Sequence, residues 1–120
     1  MITDHIDLWL FAFGGVTSLL ALQLLFPKWY TSRFNKIDAA GPALLYARQA
    51  GLAIAVQGAL MIWAGLDPHL RVPTAVLVGV GKAIFVVTAV LHRKTYPGLR
   101  VSALVDTIAV VVLAAFLGGW

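Results

Sequence analysis

Four long runs of apolar residues, separated by short polar segments, account for most of the 120-residue chain. A helix needs about 20 predominantly apolar residues to cross the hydrocarbon core of a bilayer, which is ~30 Å thick. The four runs have about that length, and they predict helices over residues 6–26, 43–66, 73–92 and 99–117. The pattern therefore predicts four transmembrane helices.

Proline and glycine mark the boundaries of these runs. Pro27 ends the first run, Gly41-Pro42 precedes the second, and Tyr96-Pro97-Gly98 precedes the fourth. Proline is suited to the first turn of a helix, and short connections make neighbouring helices antiparallel. We therefore predict an all-α, antiparallel bundle of four transmembrane helices that forms a single membrane domain over residues 1–120.

The basic residues predict the orientation of this bundle in the membrane. The first and third loops, residues 28–41 and 93–98, carry most of them, whereas the middle loop carries Arg71 alone. Lysine and arginine are enriched in cytoplasmic loops. The distribution predicts a bacterial inner-membrane protein with both basic loops in the cytoplasm and both termini on the opposite side.

Composition excludes several classes of protein. Apolar residues make up 61% of the chain and charged residues 12%, against about 45–50% and about 25% in soluble domains. So few charges cannot cover a small water-soluble domain. The basic residues lie between apolar runs, which argues against a nucleic-acid partner, and the absence of cysteine excludes disulfides and thiolate metal sites.

Aromatic residues cluster near the predicted helix ends. Tryptophan and tyrosine are enriched at membrane–water interfaces, where they anchor helices. We expect this anchoring role for six residues: Trp9, Trp29, Tyr30, Trp63, Tyr96 and Trp120.

Three charged residues fall inside predicted helices, and each needs a partner because a charge there costs about 2.5–3.5 kcal/mol. At 1.5 Å per residue, Lys82 lies ~15 Å from the cytoplasmic side, Asp106 ~10 Å and Arg48 ~8 Å. These depths predict that the three meet inside the bundle. Two interpretations follow: a salt bridge that fixes helix register, or a polar pocket with a functional or proton-active pair.

The remaining polar residues suggest structural roles. Gln57, in the middle of the second helix, is expected to hydrogen-bond to a neighbouring helix. No metal site is predicted, because His92 lies on one side of the membrane and His5 and His69 on the other. A haem held by His5 and His69 is conceivable but disfavoured. No cofactor and no catalytic residue is assigned, since no serine or threonine has a positioned histidine base.

Several short motifs resemble the DoxX-like superfamily of small four-helix membrane proteins. The second helix opens with Ala47-Arg48-Gln49-Ala50-Gly51 and continues to Gly58, the third contains Gly81-Lys82 followed by Phe85, and the fourth contains Asp106. The resemblance covers about residues 43–117. It implies a four-helix bundle with inward-facing polar residues, and some members of that group accompany redox or quinone-linked complexes as membrane subunits.

Two main functional hypotheses follow, and transport is a third. The favoured one is a small, non-catalytic membrane subunit that packs against a larger respiratory, photosynthetic or other redox complex, or against its own copies, because so little of the chain lies outside the predicted spans. The alternative is a stand-alone bundle that binds or converts a lipophilic molecule such as a quinone, sterol-like compound or isoprenoid. Its polar pocket would be lined by Arg48, Lys82, Asp106 and Gln57.

Overall fold

The structure is a computed structural model that describes residues 2–38 and 40–120, and within these ranges the chain forms helices and no strand. The fold class is all-α, as predicted. Met1 in the predicted domain and Ala39 in the predicted first loop lie outside the described residues. The α-helices are α1 (Ile6–Leu19), α2 (Leu22–Leu25), α3 (Pro27–Arg33), α4 (Pro42–Leu66), α5 (Arg71–Leu91) and α6 (Arg100–Leu117).

Four helical segments are long and apolar enough to cross a membrane, which confirms the prediction of four such helices. They span Thr3–Leu25, Pro42–Leu66, Pro68–Leu91 and Pro97–Leu117. Their outer surfaces carry large apolar side chains, many of them more than half exposed. Such a surface is unfavourable in water and suits contact with lipid chains.

The first of these segments is not the single continuous helix that was predicted over residues 6–26. It is interrupted between α1 and α2, where Ala21 N–H donates to Ser18 O at 3.1 Å and Leu24 N–H donates to Ala21 O at 2.9 Å. Hydrogen bonds between residues three apart belong to the tighter 3₁₀ geometry. The helix therefore tightens by a local turn before it reaches Pro27.

A further helix, α3, replaces the first part of the predicted polar loop. Phe26 leaves the helical region, with φ −131° and ψ 66°, as expected of a residue that precedes proline, and Pro27 then occupies the first turn of α3. The helix packs against α2 and α4 and buries Tyr30 and Thr31. The prediction that Tyr30 anchors the membrane interface is therefore wrong, because its side chain is 3% exposed.

Glycines allow α1 and α2 to lie directly against α4. A β-carbon on Gly65 would meet the Phe11 ring, one on Gly58 would meet Ser18, and one on Gly51 would meet the backbone of Leu24. From one contact to the next, the residue number increases along α1 and α2 while it decreases along α4. Small residues at such interfaces are the usual means by which membrane helices approach closely.

The second packed pair consists of α5 and α6, and a buried cluster joins the two pairs. The cluster is apolar and takes residues from α1, α4, α5 and α6: Ile6, Leu10, Met61, Ala64, Ala75, Val78 and Leu113. At the same end of the molecule, Thr3 donates two hydrogen bonds to the Trp120 carbonyl oxygen, from its backbone N–H and from its hydroxyl, each at 2.7 Å. Residues near the two termini therefore lie side by side.

We predict that Gly51→Ala destabilises the protein. A β-carbon there would lie 2.8 Å from Leu24 Cα and 2.7 Å from the Gln23 carbonyl carbon, so the α2 backbone has to move. Overpacking of this kind typically costs about 1–3 kcal/mol. The effect should appear as a lower midpoint of thermal unfolding in detergent.

The matched control is Gly15→Ala, also in a helix, where an added β-carbon meets nothing within 4 Å. The same substitution raises helix propensity at both sites, so Gly15→Ala should leave the midpoint unchanged or raise it. Equal midpoints for the two variants would contradict the close approach of α2 to α4.

Candidate functional site

An ion pair joins α5 to α6 in the interior of the molecule. Lys82 Nζ lies 2.8 Å from Asp106 Oδ1, and the side chains are 5% and 14% exposed. The same ammonium lies 3.4 Å from the hydroxyl of Thr17, which is buried on α1. One lysine side chain therefore contacts polar groups of two other helices.

The pattern of buried positions along α5 and α6 explains why these charges face each other. Lys82 follows Val78 by one turn and precedes Ala89 by two, and both of these residues are buried. Asp106 similarly precedes the buried Ala109 by about one turn. Residues three, four and seven apart share one face of a helix. Both charges therefore lie on the faces that the two helices turn inward.

A cavity of about 280 Å³ adjoins the ion pair. Residues of α1, α2, α3, α4, α5 and α6 line it, together with residues of the loops after α3 and before α6. About half of the lining residues are polar: Thr17, Gln23, Tyr30, Asn35, Gln57, Lys82, Ser102 and Asp106. The others are small or apolar: Leu20, Ala50, Ala53, Ile54, Gly81, Phe85 and Leu99.

Tyr30 is the residue by which α3 contributes to this cavity. Burial raises the pKa of its phenol above the ordinary value, and the negative charge of Asp106 raises that pKa further. The phenol therefore stays protonated well beyond neutral pH. A protonated phenol both donates and accepts a hydrogen bond, so Tyr30 adds a neutral polar group to the cavity wall.

Two contacts hold the end of the cavity that lies near the loops. The Gln23 side chain is buried, and its Nε2 donates to the Ala47 carbonyl oxygen of α4 at 2.6 Å. In the loop after α3, Asn35 lies against Gly98, where a β-carbon would come within 2.6 Å of the Asn35 carbonyl carbon. The loop thus packs on the turn that precedes α6.

The structure brings together three of the four residues predicted for the site. Lys82 and Asp106 are in direct contact, as their estimated depths require, and Gln57 lines the same cavity. The Gln57 amide reaches the α5 backbone, since a β-carbon on Gly81 would lie 3.1 Å from its Nε2. Gln57 makes no hydrogen bond to another described residue, so its expected interhelical bond is absent; Gln23 makes such a bond.

Arg48, the fourth predicted residue, is not part of the cavity. It is exposed and lines a separate groove with Lys28 and Trp29. With 3.6 residues per turn, Arg48 lies roughly half a turn around α4 from the stripe that includes Ala50 and Gln57. Its depth is compatible with a contact to Asp106, but its direction is not, and the prediction that it joins the polar network is wrong.

Sequence reasoning missed several polar residues of the cavity. The sequence predicts that Tyr30 lies at the membrane–water interface, and it assigns no role in the site to Thr17, Asn35 or Ser102. The available signal for Tyr30 was Pro27, which is suited to begin a helix after the first apolar run. Thr17 is a small polar residue in the middle of that run, a position at which a hydroxyl often contacts another helix.

The arrangement is suited to hydrogen bonding more than to metal chemistry. Among residues 2–38 and 40–120, no group of three or more His, Cys, Asp or Glu side chains is placed to hold a metal ion. A lysine ammonium has three N–H donors. Asp106 and Thr17 account for two of them, and the third is available to an oxygen atom in the cavity.

We predict that Lys82 and Asp106 depend on each other for stability. Removing one partner leaves the other charge buried, which typically costs about 3–5 kcal/mol. Lys82→Met and Asp106→Leu should each lower the midpoint of thermal unfolding in detergent. The double variant should recover most of the loss, because apolar replacement of a whole buried pair is often neutral.

Lys28→Met is the control for loss of a lysine charge, because Lys28 is exposed, does not line this cavity and is not part of the ion pair. It should leave the midpoint nearly unchanged. If the losses of Lys82→Met and Asp106→Leu simply add in the double variant, the two side chains do not interact.

Comparison with known proteins assigns no family to the chain. No family model, curated protein or solved structure matches it.

Proposed function

We propose that the four apolar helices span a bilayer as an antiparallel bundle and that the cavity binds an uncharged, lipophilic molecule by an oxygen-bearing head group. The observation that carries this proposal is the cavity beside the buried Lys82–Asp106 pair, whose mainly apolar wall is interrupted by a few polar side chains. Ligand sites are commonly concave and apolar, with a few well-placed polar groups.

The charge balance of the cavity supports an uncharged head group. Lys82 and Asp106 neutralise each other, and the raised pKa of Tyr30 keeps its phenol neutral. A charged ligand would be buried there without a counter-charge, which is strongly unfavourable. A carbonyl or hydroxyl oxygen, in contrast, can accept a hydrogen bond from the free N–H of Lys82 or from Tyr30.

The size and opening of the cavity support a ligand with a long tail. Sites that enclose a whole small molecule have volumes of about 300–1,000 Å³. The volume of this cavity, about 280 Å³, lies just below that range. Ala50 and Ala53 line the cavity and are also exposed, so the cavity opens to the surface beside α4. These alanines lie ~12–16 Å along α4, at the depth of lipid chains. The head group would occupy the cavity while the tail extends into the bilayer.

Quinones, sterol-like compounds and isoprenoids combine a neutral oxygen-bearing group with an apolar body. The geometry thus favours the ligand-binding hypothesis over a purely structural subunit. The role proposed for the lining residues is binding: Lys82 and Tyr30 donate hydrogen bonds, and Asp106 holds the ammonium in place.

A membrane subunit of a larger redox complex is the second candidate. The broad apolar surface, which includes Leu66, Leu91 and Val101 at more than 70% exposure, can pack against other apolar helices as well as against lipid. The resemblance of the helix layout to DoxX-like proteins favours the same candidate. Stoichiometric co-purification with a larger assembly after gentle extraction would support it.

We also propose that the protein lies in a bacterial inner membrane with both termini outside the cytoplasm. The support is the excess of basic residues in the first and third loops. The contact between Thr3 and Trp120 agrees with termini on one side of the membrane.

Ligand binding is tested by narrowing the mouth of the cavity with Ala53→Leu. The larger side chain narrows the opening beside α4, and changes of this size in a pocket alter affinity by about tenfold or more. Native mass spectrometry of the purified protein with decylubiquinone, and separately with farnesol, measures the bound fraction. We expect the wild-type protein to bind at least one of these compounds and Ala53→Leu to bind it at least tenfold more weakly.

Ala59→Leu is the matched control, because Ala59 is an exposed residue of α4 that does not line the cavity. It should bind like the wild type. Two results would contradict the proposal. One is an equal loss of binding in Ala53→Leu and Ala59→Leu. The other is a wild-type protein that binds neither compound and carries no co-purified lipophilic molecule.

Orientation is tested by labelling single cysteines, which is clean because the chain has no native cysteine. Thr3→Cys should react with a membrane-impermeant thiol reagent in intact cells, and Ser32→Cys should react only after the membrane is opened. The reverse pattern would invert the proposed orientation.

A further inference from the structure

A second concave surface lies between α5 and α6, apart from the cavity. This α5–α6 groove has a volume of about 540 Å³. Its walls come from the last turns of α5, the first turns of α6 and the turn between them. None of its lining residues is shared with the cavity, so the groove is a distinct site.

One end of the groove is strongly basic. Arg93, Lys94 and Arg100 line it and are exposed, and none of the described residues that line it is acidic. Three cations around one opening, without a carboxylate among them, attract an anion. Arginine and lysine are the usual ligands of phosphate groups in proteins.

The rest of the groove is mainly apolar and runs into the helices; the hydroxyl of Thr107, which also lines it, donates to the Ala103 carbonyl oxygen. Val86, Ala89 and Val90 form one wall, and Ala103 and Leu104 form the other. Val86 lies ~8 Å along the helix axis from Leu91, where α5 ends, so the apolar part extends well beyond the basic end. A free phosphate ion would leave these walls empty, whereas an acyl chain would cover them.

We propose that the α5–α6 groove binds an anionic phospholipid, with its phosphate between Arg93, Lys94 and Arg100 and one acyl chain along the apolar walls. Basic pockets between membrane helices are a common mode of lipid head-group recognition. The proposal rests on insertion of the helices into a bilayer, as proposed above. It does not depend on the cavity or its ligand, so an experiment that contradicts one of these two binding proposals leaves the other unaffected.

The experiment compares retention of two lipids by the full-length protein in mild detergent. Phosphatidylglycerol and phosphatidylcholine of the same chain length are titrated in turn, and native mass spectrometry measures the lipid-bound fraction. The wild type should retain phosphatidylglycerol more strongly. Arg93→Gln/Lys94→Gln should weaken that binding by about 30-fold, since each basic residue near a head group contributes about one factor of five.

The charge-matched control is Arg33→Gln/Lys36→Gln, which also removes one arginine and one lysine. Both residues are exposed and line neither the groove nor the cavity. This variant should keep most of the wild-type affinity. Equal weakening in the two double variants would mean that net charge alone attracts the lipid, and the site proposal would be overturned.

The apolar part of the groove needs a separate variant that leaves all charges in place. Val90→Phe adds bulk on the groove wall, where Val90 is 50% exposed, and should weaken binding of phosphatidylglycerol at least tenfold. Val87→Phe is its control, because Val87 is 58% exposed on the same helix and does not line the groove. Both substitutions lie on the surface, and circular dichroism checks that both variants are folded.

Two further results would overturn the proposal. One is equal retention of the two lipids by the wild-type protein. The other is a Val90→Phe variant that binds phosphatidylglycerol as tightly as Val87→Phe, since the acyl chain would then lie elsewhere.

Discussion

A buried charge without a partner is energetically expensive, and the Lys82–Asp106 pair avoids that cost in the interior of this protein. Each side chain lies on the inward face of its helix, and their contact neutralises both charges. Because the same ammonium reaches Thr17, the pair also links α5 and α6 to α1. Lys82 therefore joins three helices through two polar contacts, and its ammonium also contributes to the chemistry of the adjoining cavity.

The cavity itself results from uneven packing. Glycines bring α1 and α2 so close to α4 that no β-carbon fits at Gly51 or Gly58 without displacement of neighbouring atoms. On α4 and α5 the cavity is lined by the small residues Ala50, Ala53 and Gly81, and the two alanines are exposed. The turn between α1 and α2 and the early start of α3 then fold Tyr30 inward. The close packing of α1 and α2 on α4, the small residues beside the cavity and the short helix α3 together form the polar cavity.

Much of this architecture was predictable from the sequence, because hydropathy and length determine which segments can span a bilayer. The contact between Lys82 and Asp106 followed from estimated depth. Depth does not give direction around the helix axis, however, and for that reason Arg48 was wrongly placed in the network. Tyr30 was assigned to the interface because it follows a helix end. Only the tertiary packing of α3 shows that this segment turns inward. In the sequence, Pro27 at its first position indicates that a new helix begins there.

The central claim is that Lys82 and Asp106 form a direct ion pair within the membrane-embedded protein. Solid-state NMR of the protein in lipid bilayers can measure the dipolar coupling between ¹⁵N-labelled lysine Nζ and ¹³C-labelled aspartate Cγ. The account predicts a measurable coupling, because a nitrogen–oxygen distance of 2.8 Å brings the labelled nitrogen close to the carboxyl carbon. It also predicts that this coupling disappears in Asp106→Asn prepared with the same labels. A wild-type protein without that coupling, or an Asp106→Asn variant that retains it, would contradict the account.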